Sequence, residues 1–430
     1  MTSRECFVYI TLPNETEQVV AGRYVQEEGR GGVAIGRFVY ARSYLERDNA
    51  VQIDPVELDL LHGQTYTKTG DSPMFSALRD ASPDAWGRRV IERALGGKPN
   101  EIDYLLNSPD DRAGALGFGL GQVPPAPQRE FNKTLHLDQL IEAADQLIAG
   151  DRPADKSAAE QVQQLQLLGT SMGGARPKAV VEDEDGLWVA KFPRQDDSFD
   201  QPRVEHAMLR LAEMAGLQAA HSKLVEVGRR QVLFVKRFDR EKVQGGYLRH
   251  RMISGLTALG ASDSATDRAR WSYPLLADQL RRLDVDQKNS RVELFRRMAF
   301  NALISNVDDH PRNHALIGDA HGWRLSPAYD LTPTPMVAQY NRSLAMEIGA
   351  DGRTATAANL VSEAPQFGLS REHAIQVVAT LRDLVNSQWY GVCRAQGVTE
   401  RDCEFIASAF AYEGFDAENV LSPGDDLPSP

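Results

Sequence analysis

The sequence predicts an α+β protein of two lobes, β-rich in its first half and mainly helical in its second. Three observations carry this. Short β-branched and aromatic runs separated by polar turns recur through residues 5–122 and 178–238. Helical spacing of apolar residues then takes over, most clearly in Arg291–Ser305 (RVELFRRMAFNALIS). A chain of 430 residues that is 42% hydrophobic and 25% charged has enough apolar material for a large core.

Taken in order, Phe7–Leu12 and Gly31–Val39 read as strands, with Tyr40-Ala-Arg-Ser-Tyr-Leu following. Phe75-Ser-Ala-Leu and Ala85–Ala94 read as helices, the second started by Ser82-Pro83-Asp84. Gly114–Gly121 is glycine-rich, yet it runs into Val123-Pro-Pro-Ala-Pro rather than a helix, so it reads as a strand entering a linker. Residues 1–125 therefore form a β-rich N-terminal subdomain. Leu135–Ile148 is an amphipathic helix opening a second segment, 135–240, with a polar connection at Asp151–Ser157 and the run Ala158–Leu168 after it. Lys178-Ala-Val-Val-Glu-Asp-Glu-Asp-Gly-Leu-Trp-Val-Ala-Lys-Phe-Pro reads as two β-runs around Asp185-Gly186, a strong hairpin signal. Val204–Ala215 is a helix, and Leu224–Val227 pairs with Val232–Phe238 around Gly228-Arg229. Residues 241–415 form the helical part, with Leu256–Leu283 a polar loop followed by a helix. Residues 416–430, acidic and proline-rich, are expected to be a disordered tail.

The composition excludes some classes. No run approaches 18 apolar residues, so no membrane span is expected. The first residues lack a basic and apolar leader, and the three cysteines show no metal or disulfide spacing, which together suit a reducing cytoplasm. A net charge of −12 argues against this chain coating nucleic acid by itself.

The most specific stretch is Asn306-Val-Asp-Asp-His-Pro-Arg-Asn313, followed by Leu325-Ser-Pro-Ala-Tyr-Asp-Leu331. Asp308 could accept the proton of a substrate hydroxyl. Asn313, in a D-x4-N relation to it, and Asp330, beyond a hairpin, could hold Mg²⁺ against nucleotide phosphates. Asp and Asn near proline are also common turn formers. Here the preceding buried helix and the following hairpin (Ala315-Leu-Ile-Gly to Trp323-Arg-Leu) reproduce the order of a kinase C-lobe. Upstream, Gly169-Thr-Ser-Met-Gly-Gly-Ala-Arg-Pro-Lys178 is a small-residue loop whose amides could approach phosphates, with Arg176 or Lys178 adding charge. Lys191, on the strand that follows, suits a contact with the phosphates, and Glu205 is a candidate counter-charge. Lys236–Phe238 would offer backbone groups to adenine, with Phe238 packing near the base.

These segments resemble the HipA-type serine/threonine kinases, the toxins of type II toxin–antitoxin pairs. The resemblance covers most of the chain. Tyr40–Leu60 resembles the family's N-terminal subdomain, Ser171–Lys178 its glycine-containing loop and Trp188–Pro193 its lysine strand. Phe234–Arg240 resembles its hinge, while Asn306–Asn313 and Leu325–Pro333 match its catalytic and metal segments. It implies a HipA-like bilobal kinase fold using ATP and Mg²⁺. Asp308 would be the catalytic base, and Asn313 and Asp330 the metal ligands. ATP would be met by Ser171, Gly173, Gly174, Ala175, Lys178, Lys191, Lys236, Phe238 and His310. Ser171 would be autophosphorylated as an off-switch, with Thr170 the neighbouring hydroxyl. Arg176-Pro177 departs from the family's frequent Gln-Glu, and Pro177 lacks an amide donor. The implied partners are a protein substrate, such as an aminoacyl-tRNA synthetase, and a helix-turn-helix antitoxin of HipB type that carries the contact with DNA. Aminoglycoside- and choline-type kinases use a similar Asp…Asn…Asp set and are the alternative. A catalytically idle scaffold is disfavoured by the complete residue set.

Overall fold

The computed structural model describes residues 4–70, 72–127, 131–149, 176–335, 338 and 340–421. The chain divides into two compact units. The first comprises Met1–Asp197, Ser222–Gly260 and Ala315–Trp323; the second comprises Ser198–His221, Ala261–His314 and Arg324–Pro430.

In the first unit, strands β1 (Glu5–Thr11), β2 (Gln18–Glu28), β3 (Ala34–Tyr40), β4 (Thr65–Thr69) and β5 (Leu116–Gly119) form an antiparallel sheet. Its order is β4-β3-β2-β1-β5. Val8, Ile10, Tyr24 and Phe38 are fully buried. Gly36 is required by close approach, because a Cβ there would stand 2.0 Å from the Pro73 carbonyl oxygen. A second sheet runs β6 (Asn132–Lys133), β7 (Lys178–Asp183), β8 (Gly186–Lys191), β10 (Arg230–Lys236), β9 (Ser222–Val227). The β7–β8 turn closes on Gly186, whose φ of 119° lies where side chains are strained.

One face of this sheet places Ala179, Val181, Trp188, Ala190, Val232 and Phe234 against Leu137, Leu140, Ile141 and Ala144 of the helix Leu137–Ala149. That helix is amphipathic, and burial of its apolar stripe holds it to the sheet. The helix Ala85–Leu95 adds Trp86 and Val90 to the same core. Its N-cap, Asp84, accepts the Gly87 amide at 2.7 Å. A short ladder of β11 (Arg240–Val243) and β12 (Gly246–Arg249) follows. Then β13 (Arg251–Ser254) pairs with β14 (Ala315–Gly318).

Helices dominate the second unit. Gln201–Met214 is capped by Asp200 and has Pro202 in its first turn. Ser272 caps Tyr273–Leu283, Ser370 caps Arg371–Ala395 and Thr399 caps Glu400–Phe410. Between them, Gln287–Leu303 is buried along most of its second half, with Phe295 edge-on to Phe367 at 5.4 Å. Among the described residues no helix is long and apolar enough to cross a membrane.

Several boundaries differ from the sequence reading. The expected segments 1–125 and 135–240 share one unit. The helix Gln201–Met214 packs instead on Arg371–Ala395 in the other, because its apolar face meets that helix. Strands β2 and β4 and the helix Glu101–Asn107 are elements that the sequence reading does not name. Within 256–283 the expected helix is Tyr273–Leu283, but the expected loop opens on a fully buried helical turn, Gly255–Ala258. The expected tail begins later than 416. Asp416 pairs with Arg382 at 3.3 Å and accepts the Leu421 amide, and Leu421 is buried. The remainder of the expected tail lies outside the described residues.

Candidate active site

The three residues expected to carry phosphoryl transfer all lie in the second unit. The helix Gln287–Leu303 delivers the loop. Ser305, at its end, has φ 52°, and the turn Pro311–Asn313 closes the loop. Asp308 is exposed, while its neighbour Asp309 is only 2% exposed. The two adjacent carboxylates therefore differ in access: Asp308 is open to solvent and Asp309 is enclosed. The Asn313 amide nitrogen donates to the Asp308 carbonyl at 3.3 Å, so its Oδ1 is the end left to face a metal.

Asp330 sits at φ 59°, in the left-handed region that costs a residue with a side chain on the order of 1–3 kcal/mol. Two contacts hold it there. Asn306 donates from its side-chain amide to the Asp330 carbonyl at 3.3 Å. Tyr329 donates from its hydroxyl to the Arg312 carbonyl at 2.7 Å, tying the residue before Asp330 to the loop that carries Asn313. The Ala328 amide also bonds the Gln218 carbonyl at 2.7 Å. Asp330 is thus drawn beside the loop by hydrogen bonds from both sides. Sequence reasoning gave no role to Asn306 or Tyr329. Asn306 stands two residues before the proposed base and is only 2% exposed, a burial that its polar sequence does not signal.

Asn306 also begins a buried polar chain. Its amide donates to Asn301 Oδ1 at 3.1 Å, and Asn301 Nδ2 donates to the Tyr273 hydroxyl at 3.1 Å. Tyr273 in turn donates to Asp309, which His314 Nε2 also meets at 3.1 Å. Burial, with the Asp309 carboxylate beside it, pushes the Tyr273 hydroxyl well above its ordinary value, so it stays protonated and donating. His310 is half-buried, and its Nδ1 meets no hydrogen-bond partner among the described residues.

The nucleotide-contact candidates of the first unit are placed as follows. Lys191 lies directly across the β7–β8 ladder from Lys178, so the two share a sheet face with Val180, Val189 and Leu233. Lys178 is 3% exposed and pairs with Asp84 at 2.8 Å, which commits its charge to a helix cap. Arg176 likewise pairs with Asp197. The Lys236 ammonium donates to the Asp185 carbonyl and lies 4.7 Å from the Trp188 ring, and burial lowers its pKa. Phe238 is half-buried. The Arg237 amide is taken by the Leu187 carbonyl at 3.0 Å, so within Lys236–Phe238 that donor is not the one to meet adenine. Glu205 belongs to the other unit, where it is buried. Thr170, Ser171, Gly173, Gly174 and Ala175 lie outside the described residues.

The residues that follow β10 hold a buried charge cluster. Asp239, 1% exposed, accepts from Arg237 Nε and Nη2 at 2.9 and 2.7 Å, from Arg240 at 2.7 Å and from the Gly114 amide at 2.8 Å. Burial alone would raise its pKa. The two guanidiniums outweigh that and hold it far below the usual carboxylate range.

Among the described residues no three His, Cys, Asp or Glu side chains converge on a metal position. The segments that carry Asn313 and Asp330 are tied to one another by the Tyr329–Arg312 and Asn306–Asp330 hydrogen bonds, and they offer one amide oxygen and one carboxylate. This is a hard-oxygen set that suits a magnesium ion sharing its shell with phosphates and water. The residues therefore fit such an ion.

Fold and site together define a protein of kinase type: a strand-borne lysine in a β-rich unit and an Asp, Asn, Asp set in a helical one. The family model described as the HipA-like C-terminal domain matches residues 170–389, just over half of the chain, and the chain belongs to that family. A Sinorhizobium fredii protein named "Putative kinase Y4mE" is 25% identical over 354 residues, 77% of this chain and 79% of that protein. The serine/threonine-protein kinase toxin HipA of Shewanella oneidensis is 27% identical over 158 residues, which span 34% of this chain and 36% of that one. A chain from the solved complex of Shewanella oneidensis HipA, HipB and operator DNA shares the fold. Its TM-score is 0.68 at 18% identity, with 97% of this chain and 99% of that chain covered.

Proposed function

We propose that this chain is an ATP- and Mg²⁺-dependent serine/threonine protein kinase, acting as the toxin of a toxin–antitoxin pair. The observation that carries the reading is the exposed Asp308, held on one hydrogen-bonded frame with Asn313 and Asp330. Asp308 orients the substrate hydroxyl and takes its proton as the oxygen bonds to the γ-phosphorus of ATP, and the bond from that phosphorus to the β-phosphate oxygen breaks to release ADP. Asn313 Oδ1 and the Asp330 carboxylate would hold the metal, which would supply positive charge against the phosphates. Lys191 steadies the phosphates, and the Lys236–Phe238 segment is proposed for the base.

The named relatives support a protein substrate over a small molecule. The net charge of −12 supports a helix-turn-helix antitoxin as the partner that contacts DNA. Phosphorylation of Ser171 is proposed as the off-switch: about two negative charges on the glycine loop would repel the ATP phosphates. Incubation with γ-labelled ATP and Mg²⁺ tests the reading. The wild type should transfer label to itself or to a co-purified protein, with mass spectrometry finding phosphate at Ser171, and Asp308→Asn should transfer none. Full transfer by Asp308→Asn would remove Asp308 as the base.

A further inference from the structure

The chain His314–Asp309–Tyr273–Asn301–Asn306 is buried at every member, from 0 to 2% exposed. None of the five is needed to touch substrate. Each link has a fixed direction. A carboxylate only accepts, so the Tyr273 hydroxyl and His314 Nε2 both donate to Asp309. A phenol has one proton, so the Tyr273 oxygen must then accept, and it accepts from the Asn301 NH₂. That orients the Asn301 amide, whose oxygen faces Asn306 and accepts from it. The Asn306 NH₂ is in turn left facing the Asp330 carbonyl. Either amide could be turned over at little steric cost, since its two ends are nearly equal in shape. What forbids the turn is the acceptor at the far end of the chain. With Asn306 reversed, two oxygens would face each other at the residue that holds a left-handed backbone.

We propose that Asp309 and Tyr273 are positioning residues for Asp330: they set the polarity of a hydrogen-bond relay that fixes the carbonyl, and so the carboxylate, of the metal-binding aspartate. The proposal rests on the kinase reading above. It assigns the second aspartate of the Asp308-Asp309 pair a task distinct from that of the first. Asp308 works on the substrate from the exposed side of the loop, and Asp309 works through three side chains, Tyr273, Asn301 and Asn306, on the metal position. Tyr273 comes from a different helix, 36 residues away in sequence, so the relay also couples the start of Tyr273–Leu283 to the loop.

The test uses the full chain and a non-hydrolysable ATP analogue, titrated calorimetrically with and without Mg²⁺. Tyr273→Phe keeps the ring and removes the relay's central oxygen. Asp309→Asn keeps the shape and removes the obligate acceptor. Both should bind the analogue as wild type does without metal. Both should lose about ten- to a hundred-fold in the affinity gained on adding Mg²⁺, the range for groups that orient metal ligands, with recovery as Mg²⁺ is raised. A loss equal with and without Mg²⁺, following a lower melting temperature, would make the two residues merely structural and overturn the proposal. So would a wild-type Mg²⁺ response in Asp309→Asn, which serves should Tyr273→Phe fail to fold. A wild type whose analogue binding ignores Mg²⁺ overturns the kinase reading itself and the relay with it, whereas a variant matching a responsive wild type overturns the relay alone.

Discussion

Replacing Asp239 by alanine should be among the most damaging single changes in the first unit. The carboxylate accepts four hydrogen bonds, three of them from guanidiniums that are themselves 2 and 8% exposed. Its removal leaves Arg237 and Arg240 buried together without their shared counter-charge. Breaking a buried pair from one side costs about 3–5 kcal/mol. For a unit of this size each kcal/mol lowers the melting temperature by about 2–4 °C, so the expected drop is roughly 6–20 °C. The segment loosened is the end of β10, so affinity for the ATP analogue should fall as well. The sign of the pH dependence follows from the depressed pKa. A carboxyl whose folded value is lowered stabilises above its unfolded value, about 4, and loses that stabilisation as pH falls through the folded value. The gap between wild type and Asp239→Ala should therefore stay constant from pH 8 to pH 5 and close only in strong acid. Differential scanning calorimetry across that range checks both parts. A shift below about 2 °C at pH 7, or a gap already closing near pH 6, would refute the argument that the triad acts as a charge-paired unit.

Asn306→Ala should leave Asn301 and the Asp330 carbonyl without their shared donor. A loss of about ten- to a hundred-fold in phosphate transfer is expected, with a smaller loss in stability, read by steady-state kinetics alongside melting. Lys191→Ala should weaken binding of the ATP analogue without unfolding the chain; calorimetric affinity equal to wild type, with equal turnover, would reduce Lys191 to a structural cation. Asp84→Asn should unpair Lys178 while keeping a capping side chain. Thermal unfolding should show a loss of about 2–4 kcal/mol, well above the tenths expected from the cap alone.

What the sequence made legible was local. The β7–β8 hairpin was readable because alternation on both sides meets at Asp185-Gly186, and the helix Gln287–Leu303 because its apolar residues keep helical spacing. The order of helix, loop, hairpin and Asp330 followed directly. What stayed hidden was long-range. Strand β2 carries Gln26, Glu27 and Glu28 at its exposed end and so resembles a loop, and only pairing on both sides makes it a strand. Lys236-Arg237-Phe238-Asp239-Arg240 reads as a solvated run. Its charges are buried because Arg237 and Arg240 reach carbonyls of Asp111 and Arg112, more than a hundred residues away in sequence. Tyr273 and Asp309 gave no signal at all, since neither stands in the other's local pattern. Fold class therefore showed through periodicity and Asp308 through its D-x4-N spacing to Asn313, while the burial of Asp309 beside it did not show.

The first unit is discontinuous, and this has a consequence for how the chain comes to be folded. Strand β14 contributes the partner of β13, yet it is synthesised only after the intervening residues 261–314. As the chain leaves the ribosome, β13 emerges with one edge unpaired, and its Ile253, fully buried in the finished protein, has no β14 beside it. Such an edge can wait or mispair. A fragment ending at residue 260 should accordingly aggregate more readily than one extended through Trp323, even though β14 and the turn after it lie far beyond the expected lobe boundary at 240. Folding of this unit is thus gated by translation of the very hairpin that separates Asn313 from Asp330, so the β-rich half cannot mature ahead of the catalytic loop.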